Sequence, residues 1–387
     1  MILLKPEISV VFPTYNRPGE LFRTLKLLSE NITVPYEVLI MDNSHEPLKH
    51  SFKKNERYFF SGENLGAAAR NIGIRNANAS YILMLDDDSH PFPGSVEKAL
   101  RRLKNSSPET AGITGLILRP NGGRENPPLL PTAFHGCGFL SNTETLLKLG
   151  TDFYPDDFCF YGEEYWSTLL LYRAGYSFEF LEDFKICHRM SASGRDVGRI
   201  LYQLTLNNRR TWKSFVPDIF LEKITYDTER RYELISTKEG VRESFLKAIG
   251  EEIEVKTYGE KMSVERFEKF SMISNFRELF ISGKLRSGTP VVLCGCGKFP
   301  SLWIDVLKSH GINDIVLSDL NGGLVGNKYR EYEVLSPDEA EKMMGKGFHA
   351  VCGHSSRTDT DTWKSLLRGK AYNITDLLKE VPDEKSA

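Results

Sequence analysis

The chain has few cysteines, no long apolar run and almost no net charge, and each shortage excludes something. Six cysteines in 387 residues (Cys137, Cys159, Cys187, Cys294, Cys296 and Cys352) are too few and too scattered for a disulfide framework. None of their spacings fits a zinc module, so reduced thiols in a cytoplasmic protein are the expectation. No apolar stretch approaches the ~20 residues that a membrane span requires. Lys5-Pro6-Glu7 interrupts the basic-then-apolar order of a secretory signal at once. Fifty basic side chains stand against 52 acidic ones, a formal charge of -2, so no global field draws nucleic acid or anionic lipid. Internal repeats and low-complexity blocks are also missing. What is there is an ordinary globular composition, 40% hydrophobic and 26% charged, long enough for two or three domains.

The first half alternates strand and helix. "ISVVF" (Ile8–Phe12) reads as a buried strand, and Pro18 suits the first turn of a helix with Leu21, Phe22, Leu25 and Leu28 on one face. "YEVLIM" ends at Asp42, "YFF" (Tyr58–Phe60) is a short strand, and "NLGAAARNIGIRNA" (Asn64–Ala77) is a helix of small residues. "YILML" runs straight into Asp86, Asp87 and Asp88. A helix over Val96–Leu103 and a strand over Ala111–Leu118 follow. Such alternation predicts an α/β fold with a mostly parallel sheet, whose ligands bind beyond the C-terminal strand ends. Asp42 and the three aspartates sit at such ends. "RPNGGRENPPLLPTAF" (Arg119–Phe134) reads as a mobile loop. From about Pro217 to Arg286, charged residues interleave with Phe, Leu and Ile at helical spacing. Strand–helix alternation resumes at Pro290. The expected domains are 1–216, a helical connecting region over 217–287, and a smaller α/β domain over 288–387.

Three carboxylates at one strand end repel one another unless a cation sits among them. A hard divalent ion suits them, since Mg²⁺ or Mn²⁺ takes one or two carboxylates plus substrate phosphates. In isolation the triplet reads equally well as a solvated acidic turn or a helix cap.

The surrounding order is more specific. The segments "ISVVFPTYNRP", "VLIMDNS", "ENLGAAARNIGI", "YILMLDDDSHP", "GCGFLSN", "DFCFYGEEYWSTLLLYRAGY" and "CHRMSASG" appear in one sequence over Ile8–Gly194. Together they resemble glycosyltransferase family 2, most strongly its rhamnosyl- and galactofuranosyl-transferase-like branches, over roughly the first 215 residues. The resemblance implies a GT-A fold and an inverting, metal-dependent transfer from a nucleotide-diphosphate sugar, with a UDP- or TDP-sugar as donor and a glycan, glycolipid or glycoprotein as acceptor.

Residue roles follow from that resemblance. The loop Pro13-Thr14-Tyr15-Asn16-Arg17 borders the nucleoside, with Thr14 and Arg17 against base or ribose. Asp42 accepts a hydrogen bond from a pyrimidine ring N–H, or else closes an Asx-turn with Asn43 and Ser44. Arg70 faces the nucleotide, or a solvated helix face. The family's Asp-x-Asp falls on Asp86 and Asp88. Asp88 ligates Mn²⁺ or Mg²⁺, Asp86 contacts ribose or the metal's water, and Asp87 is the middle residue. His188 completes the metal site, or is a structural histidine. The family's base falls on Glu164, with Glu163 a close rival. A carboxylate near an apolar wall and a second acid has its pKa raised, as a base for a hydroxyl requires. Trp166 and Leu170 stand where many relatives carry acidic and arginine residues; Trp166 stacks on a sugar face or belongs to the core. "FHGCGFLSN" lines the sugar pocket through Gly136 and Cys137, with His135 beside them. An inverting scheme gives Cys137 no task as a nucleophile.

The tail carries "LCGCGKFPSLW", where Gly295 and Gly297 fit a dinucleotide loop but Pro300 replaces the third glycine. It resembles the small Rossmann-like modules appended to sugar-modifying enzymes, and serves nucleotide binding, scaffolding or formation of a homo-oligomer. Two competing functions are a non-catalytic nucleotide-sugar-binding or assembly protein and a sugar nucleotidyltransferase. The latter needs a Gly- and Lys-rich loop that "PTYNRP" does not supply. The expected location is cytoplasmic, or peripheral at the inner membrane, with neither a nucleic-acid partner nor a transmembrane segment.

Overall fold

A computed structural model describes residues 5–125, 133–149, 153–158, 160–189, 196–253, 260–353, 357–366 and 374–376. The chain divides into two compact units, one running through Met1–Glu125 and Phe134–Arg195, the other through Asn126–Ala133 and Asp196–Ala387.

The first unit holds β1 (Ile8–Thr14), α1 (Pro18–Asn31), β2 (Tyr36–Asp42), β3 (Glu56–Phe60), α2 (Arg70–Asn76), β4 (Tyr81–Met84), β5 (Ser89–Pro91), α3 (Ser95–Lys104), β6 (Thr110–Leu118), β7 (Phe139–Asn142), α4 (Thr143–Lys148), α5 (Glu163–Arg173) and β8 (Ser177–His188). Its eight-stranded sheet has the order β3-β2-β1-β4-β7-β6-β8-β5. The strands β3, β2, β1 and β4 are parallel, as the alternation predicts. β7 reverses direction between β4 and β6, and β5 runs antiparallel to β8. The expected α/β class with a parallel-rich sheet is therefore what the chain builds.

Burial explains the strands. Ile8, Val10, Phe12, Val38, Ile40 and Leu83 share one apolar core with Leu21, Leu25 and Leu28 of α1. Pro18 occupies the first turn of α1, where its missing N–H costs nothing. The expected single helix over 64–77 is a 3-10 turn at Gly66–Ala69 followed by α2. Gly66 sits at φ +60, a left-handed conformation that glycine adopts freely, and Asn64 Oδ1 accepts from its N–H at 3.0 Å.

Two strand registers decide where β8 delivers its side chains. β5 pairs with β8 so that Ser89 lies opposite His188. Further back, Gly115 of β6 pairs with Leu181, while the next residue, Leu116, pairs with Lys185. Glu182–Phe184 thus form a bulge in β8.

The second unit begins with α6 (Val197–Phe215), α7 (Asp218–Lys238), α8 (Arg242–Gly250), α9 (Val264–Phe270) and α10 (Ile273–Ile281). Then come β9 (Val291–Cys294), α11 (Pro300–Ser309), β10 (Ile315–Ser318), β11 (Lys328–Tyr329), β12 (Tyr332–Leu335), α12 (Pro337–Gly345), β13 (His349–Cys352), α13 (Arg357–Leu366) and β14 (Ile374–Asp376). The six strands order as β11-β12-β10-β9-β13-β14. Leaving out the short β11, this is the 3-2-1-4-5 order of a Rossmann-type sheet. No helix among the described residues is long and apolar enough to cross a membrane.

Candidate active site

The chain after β4 turns at Asp86–Asp88 and returns as β5. That turn lies beside β1, so the loop after β1 and the aspartates share one end of the sheet. Each of the three carboxylates already has a cationic partner. Asp87 is fully buried, accepts from Thr14 Oγ1 at 2.7 Å and pairs with Arg17. Arg17 also reaches Asp88 Oδ2 at 3.0 Å. Arg70 is 5% exposed; it pairs with Asp86 and donates to the Leu85 carbonyl at 3.2 Å, while its guanidinium lies over the Tyr154 ring. Burial pushes the Asp87 carboxyl up to about 7, against the pull of Arg17 and Thr14.

His188 arrives from β8. Its pairing opposite Ser89 brings Nε2 to 3.2 Å from Asp88 Oδ1 and 3.9 Å from Asp86 Oδ2. The other nitrogen, Nδ1, meets Glu125 Oε2 at 2.7 Å. Burial would lower the His188 pKa, but hydrogen bonds with Asp88, Cys137 and Glu125 outweigh it and raise it far above the usual imidazole range. The Cys137 thiol joins the cluster: Asp86, Cys137 and His188 each offer a ligand atom within 4.8 Å of the others. Cys137 Sγ lies 3.3 Å from His135 Nδ1. His135 is pushed up to about 9: burial opposes the proton, but Cys137, Glu125 and Glu164 together outweigh it. This donor set of carboxylates, imidazole and thiol fits a divalent cation.

α5 supplies the acids opposite. Glu163 and Glu164 open the helix after Gly162, which is at φ +94. Burial, then the neighbouring Glu164, pushes the Glu163 carboxyl up to about 8. Its Oε2 is buried without a hydrogen-bond partner among the described residues. Burial raises Glu164 as well, opposed by His135. A Cβ placed on Gly136 would lie 3.0 Å from Glu164 Oε1, so the glycine leaves that carboxylate its place.

The predicted site residues are therefore mostly neighbours, and Asp42, Thr14, Pro13 and Trp166 already have partners within the protein. The Asp42 carboxylate is fully buried and already accepts from the Ser44 N–H at 2.9 Å and the Tyr58 hydroxyl at 2.5 Å, the Asx-turn of the sequence reading. Thr14 spends its hydroxyl on Asp87, and Pro13 lies within β1 opposite Met41. Trp166 is 3% exposed and packs edge-to-face on Phe158 with ring centroids 5.4 Å apart, a core position. Residues 126–132 of the predicted loop and 190–194 of "CHRMSASG" lie outside the described residues.

Sequence reasoning missed Glu125 and Arg189. Glu125 follows a tight turn in which the Arg119 N–H donates to the Gly123 carbonyl at 2.8 Å. Only its place in a Gly-rich segment marked it, and that signal is shared by any loop acid. Arg189 donates to Glu20 Oε2 at 2.8 Å, to Thr24 Oγ1 at 2.5 Å and to the Asp87 carbonyl at 3.3 Å. It ties α1 to the aspartate turn.

In the second unit, the glycine loop after β9 is held by side chains from the end of β10 and from α6 and α7. Asp319, placed where a ribose-binding acid would stand, accepts from the Cys296 N–H and the Asn321 N–H, both at 2.8 Å. Buried Lys298 donates to Asn208 Oδ1 at 2.7 Å and to the Tyr232 hydroxyl at 2.8 Å. Burial, then Arg231, holds its ammonium well below the usual lysine pKa.

Residues 9–160 match the family described as Glycosyl transferase family 2. An uncharacterized glycosyltransferase of Bacillus subtilis, YwdF, is 32% identical over 105 residues, which are 26% of this chain and 39% of that protein. Validoxylamine A glucosyltransferase of Streptomyces hygroscopicus subsp. limoneus is 37% identical over 106 residues, 24% of this chain and 23% of that protein. Among solved structures, GalNAc-T7 with UDP, GalNAc and Mn²⁺ aligns at a TM-score of 0.46 and 16% identity, covering 62% of this chain and 54% of that one. The chain spans about two fifths of the length of the first of these relatives and less of the second.

Proposed function

We propose that this chain, whose residues 9–160 match the Glycosyl transferase family 2 model, is an inverting, divalent-metal-dependent glycosyltransferase. It moves a sugar from a UDP- or TDP-sugar to a hydroxyl of a glycan, glycolipid or glycoprotein. The observation that carries this reading is the convergence of His188 Nε2 on Asp88 and Asp86 across the sheet end, with the raised acids of α5 in the same unit.

Asp88, Asp86 and His188 would hold Mn²⁺ or Mg²⁺, and such an ion would supply positive charge for the diphosphate. Arg17 and Arg70 already stand among the aspartates and supply further positive charge for phosphate oxygens. Glu164 takes the proton of the acceptor hydroxyl; its elevated pKa makes it a better base than a solvated carboxylate. The acceptor oxygen forms its bond to the anomeric carbon on the face opposite the diphosphate, and the bond to the diphosphate breaks, which inverts that carbon. Glu163 is the rival base. Gly136, whose Cβ would lie 3.0 Å from Glu164 Oε1, lets that carboxylate keep its position.

The test is calorimetric titration of UDP, TDP, GDP and CDP with Mn²⁺ or with EDTA, on wild type and on Asp88→Ala. Metal-dependent binding of one diphosphate, lost in the variant, supports the reading and identifies the donor class. No binding of any diphosphate under either condition overturns it.

A further inference from the structure

The cluster at the end of β8 contains one group that a magnesium or manganese site does not need. Hard cations take oxygen ligands, whereas thiolate ligands select softer ions. Yet Cys137 Sγ belongs to the same cluster as the Asp86 carboxylate and the His188 imidazole, with all three ligand atoms within 4.8 Å of one another. We propose that Asp86, Cys137 and His188 form a site for a thiophilic divalent cation of the zinc class, with Cys137 as a thiolate ligand.

The geometry is arranged for it. Glu125 Oε2 meets His188 Nδ1 at 2.7 Å, which fixes the ring and leaves Nε2 for the ion. A carboxylate behind a ligating histidine is the usual support of a zinc-bound imidazole. Arg70 takes Oδ1 of Asp86, while Oδ2 faces His188 at 3.9 Å. Asp88 Oδ1, 3.2 Å from the same Nε2, is a fourth ligand within reach. Zinc bond lengths of about 2.0–2.3 Å place tetrahedral ligand atoms roughly 3.5 Å apart, so side-chain adjustment closes the site without moving the strands. On binding, the thiol proton leaves to solvent and the sulfur stays as thiolate. Zinc also stands above manganese in the general order of divalent affinities, and a thiolate widens that gap. A zinc-class ion therefore binds this donor set more tightly than Mn²⁺ or Mg²⁺, and availability decides which of them serves the transfer.

The inference rests on the proposed glycosyltransferase reading for the place of the ion, but not for its identity. The experiment is X-ray absorption at the zinc edge on the full chain loaded with one equivalent of Zn²⁺, for wild type and Cys137→Ser. The expected result is a sulfur shell at about 2.3 Å in wild type, lost in Cys137→Ser. Absence of sulfur in wild type overturns the proposal, and needs no variant to fold. Sulfur retained in Cys137→Ser also overturns it, because another cysteine is then the ligand. Cobalt gives a second readout: a thiolate-to-metal charge-transfer band in wild type, absent from Cys137→Ser and bleached by added Zn²⁺. The outcomes are separable from those of the diphosphate titration. A zinc–sulfur site without nucleotide binding overturns the glycosyltransferase reading alone, and nucleotide binding without a zinc–sulfur site overturns this inference alone.

Discussion

Glu125 stands 2.7 Å behind His188, on the nitrogen that faces away from the aspartates. The pair spans 63 residues of sequence and fixes the ring before any ligand arrives. Removing such a support from a ligating histidine lowers metal affinity by about 10–100-fold. Glu125→Ala is expected to weaken Mn²⁺ binding within that range, read by manganese electron spin resonance, with the fold intact by circular dichroism. Unchanged affinity would mean that the acid does not position the imidazole.

Glu164→Gln keeps the shape of the side chain and removes the base. Turnover is expected to fall by about 10²–10⁴-fold, while metal-dependent binding of the diphosphate persists. Glu163→Gln measured beside it separates the rivals: the larger fall in kcat marks the base.

Gly136→Ala places a methyl group 3.0 Å from Glu164 Oε1. The contact is with the far end of a flexible side chain, so the carboxylate swings away and the turn survives. Activity is expected to drop with little change in Tm. A loss of Tm without loss of kcat would show that the glycine serves folding only.

Trp166→Ala removes a buried ring packed on Phe158. A cost of about 3–5 kcal/mol in denaturant unfolding is expected for a core aromatic. If instead stability holds and acceptor KM rises, the ring is a sugar platform.

In the second unit, Asp227 of α7 is fully buried and accepts from the Ser301 N–H at 2.8 Å and Ser301 Oγ at 2.5 Å. Burial, only partly offset by these bonds, pushes its carboxyl up to about 7 from 3.8. Between those values the folded protein keeps a proton that the unfolded chain has released. Stability contributed by this group is full below pH 3.8 and is lost as pH rises to about 7, at no more than about 1.4 kcal/mol per pH unit. Asp227→Asn should flatten that part of the profile in urea unfolding. An unchanged slope would assign it to other groups.

Much of the first unit is legible because its strands are continuous apolar runs bounded by turn residues. Ile8–Thr14, Tyr36–Asp42 and Thr110–Leu118 lie within two residues of their predicted bounds. β5 and β8 were not legible. β5 is only three residues long and includes a proline. β8 alternates acids with aromatics, "SFEFLEDFKICH", and half of it is solvent-facing. The resemblance singled out the aspartates, Arg70 and the α5 acids as candidates, and the structure pairs Arg70 with Asp86 and brings His188 to Asp88. That Arg17 and Arg70 neutralise the triplet was not, because ion pairs over 70 and 16 residues leave no local pattern. Glu125 was invisible for the same reason.

The bulge at Glu182–Phe184 has a consequence for how this chain tolerates change. Successive residues of a strand point to opposite faces, so the surplus residues there decide which side chain of β8 arrives opposite Ser89. Adding one residue to the bulge would seat Cys187 at that place, and removing one would seat Arg189. The imidazole would be lost to the site with no site residue altered. Length changes in that segment are thus governed by parity: an odd change turns the strand over, and an even change keeps its face but exchanges the residue on it.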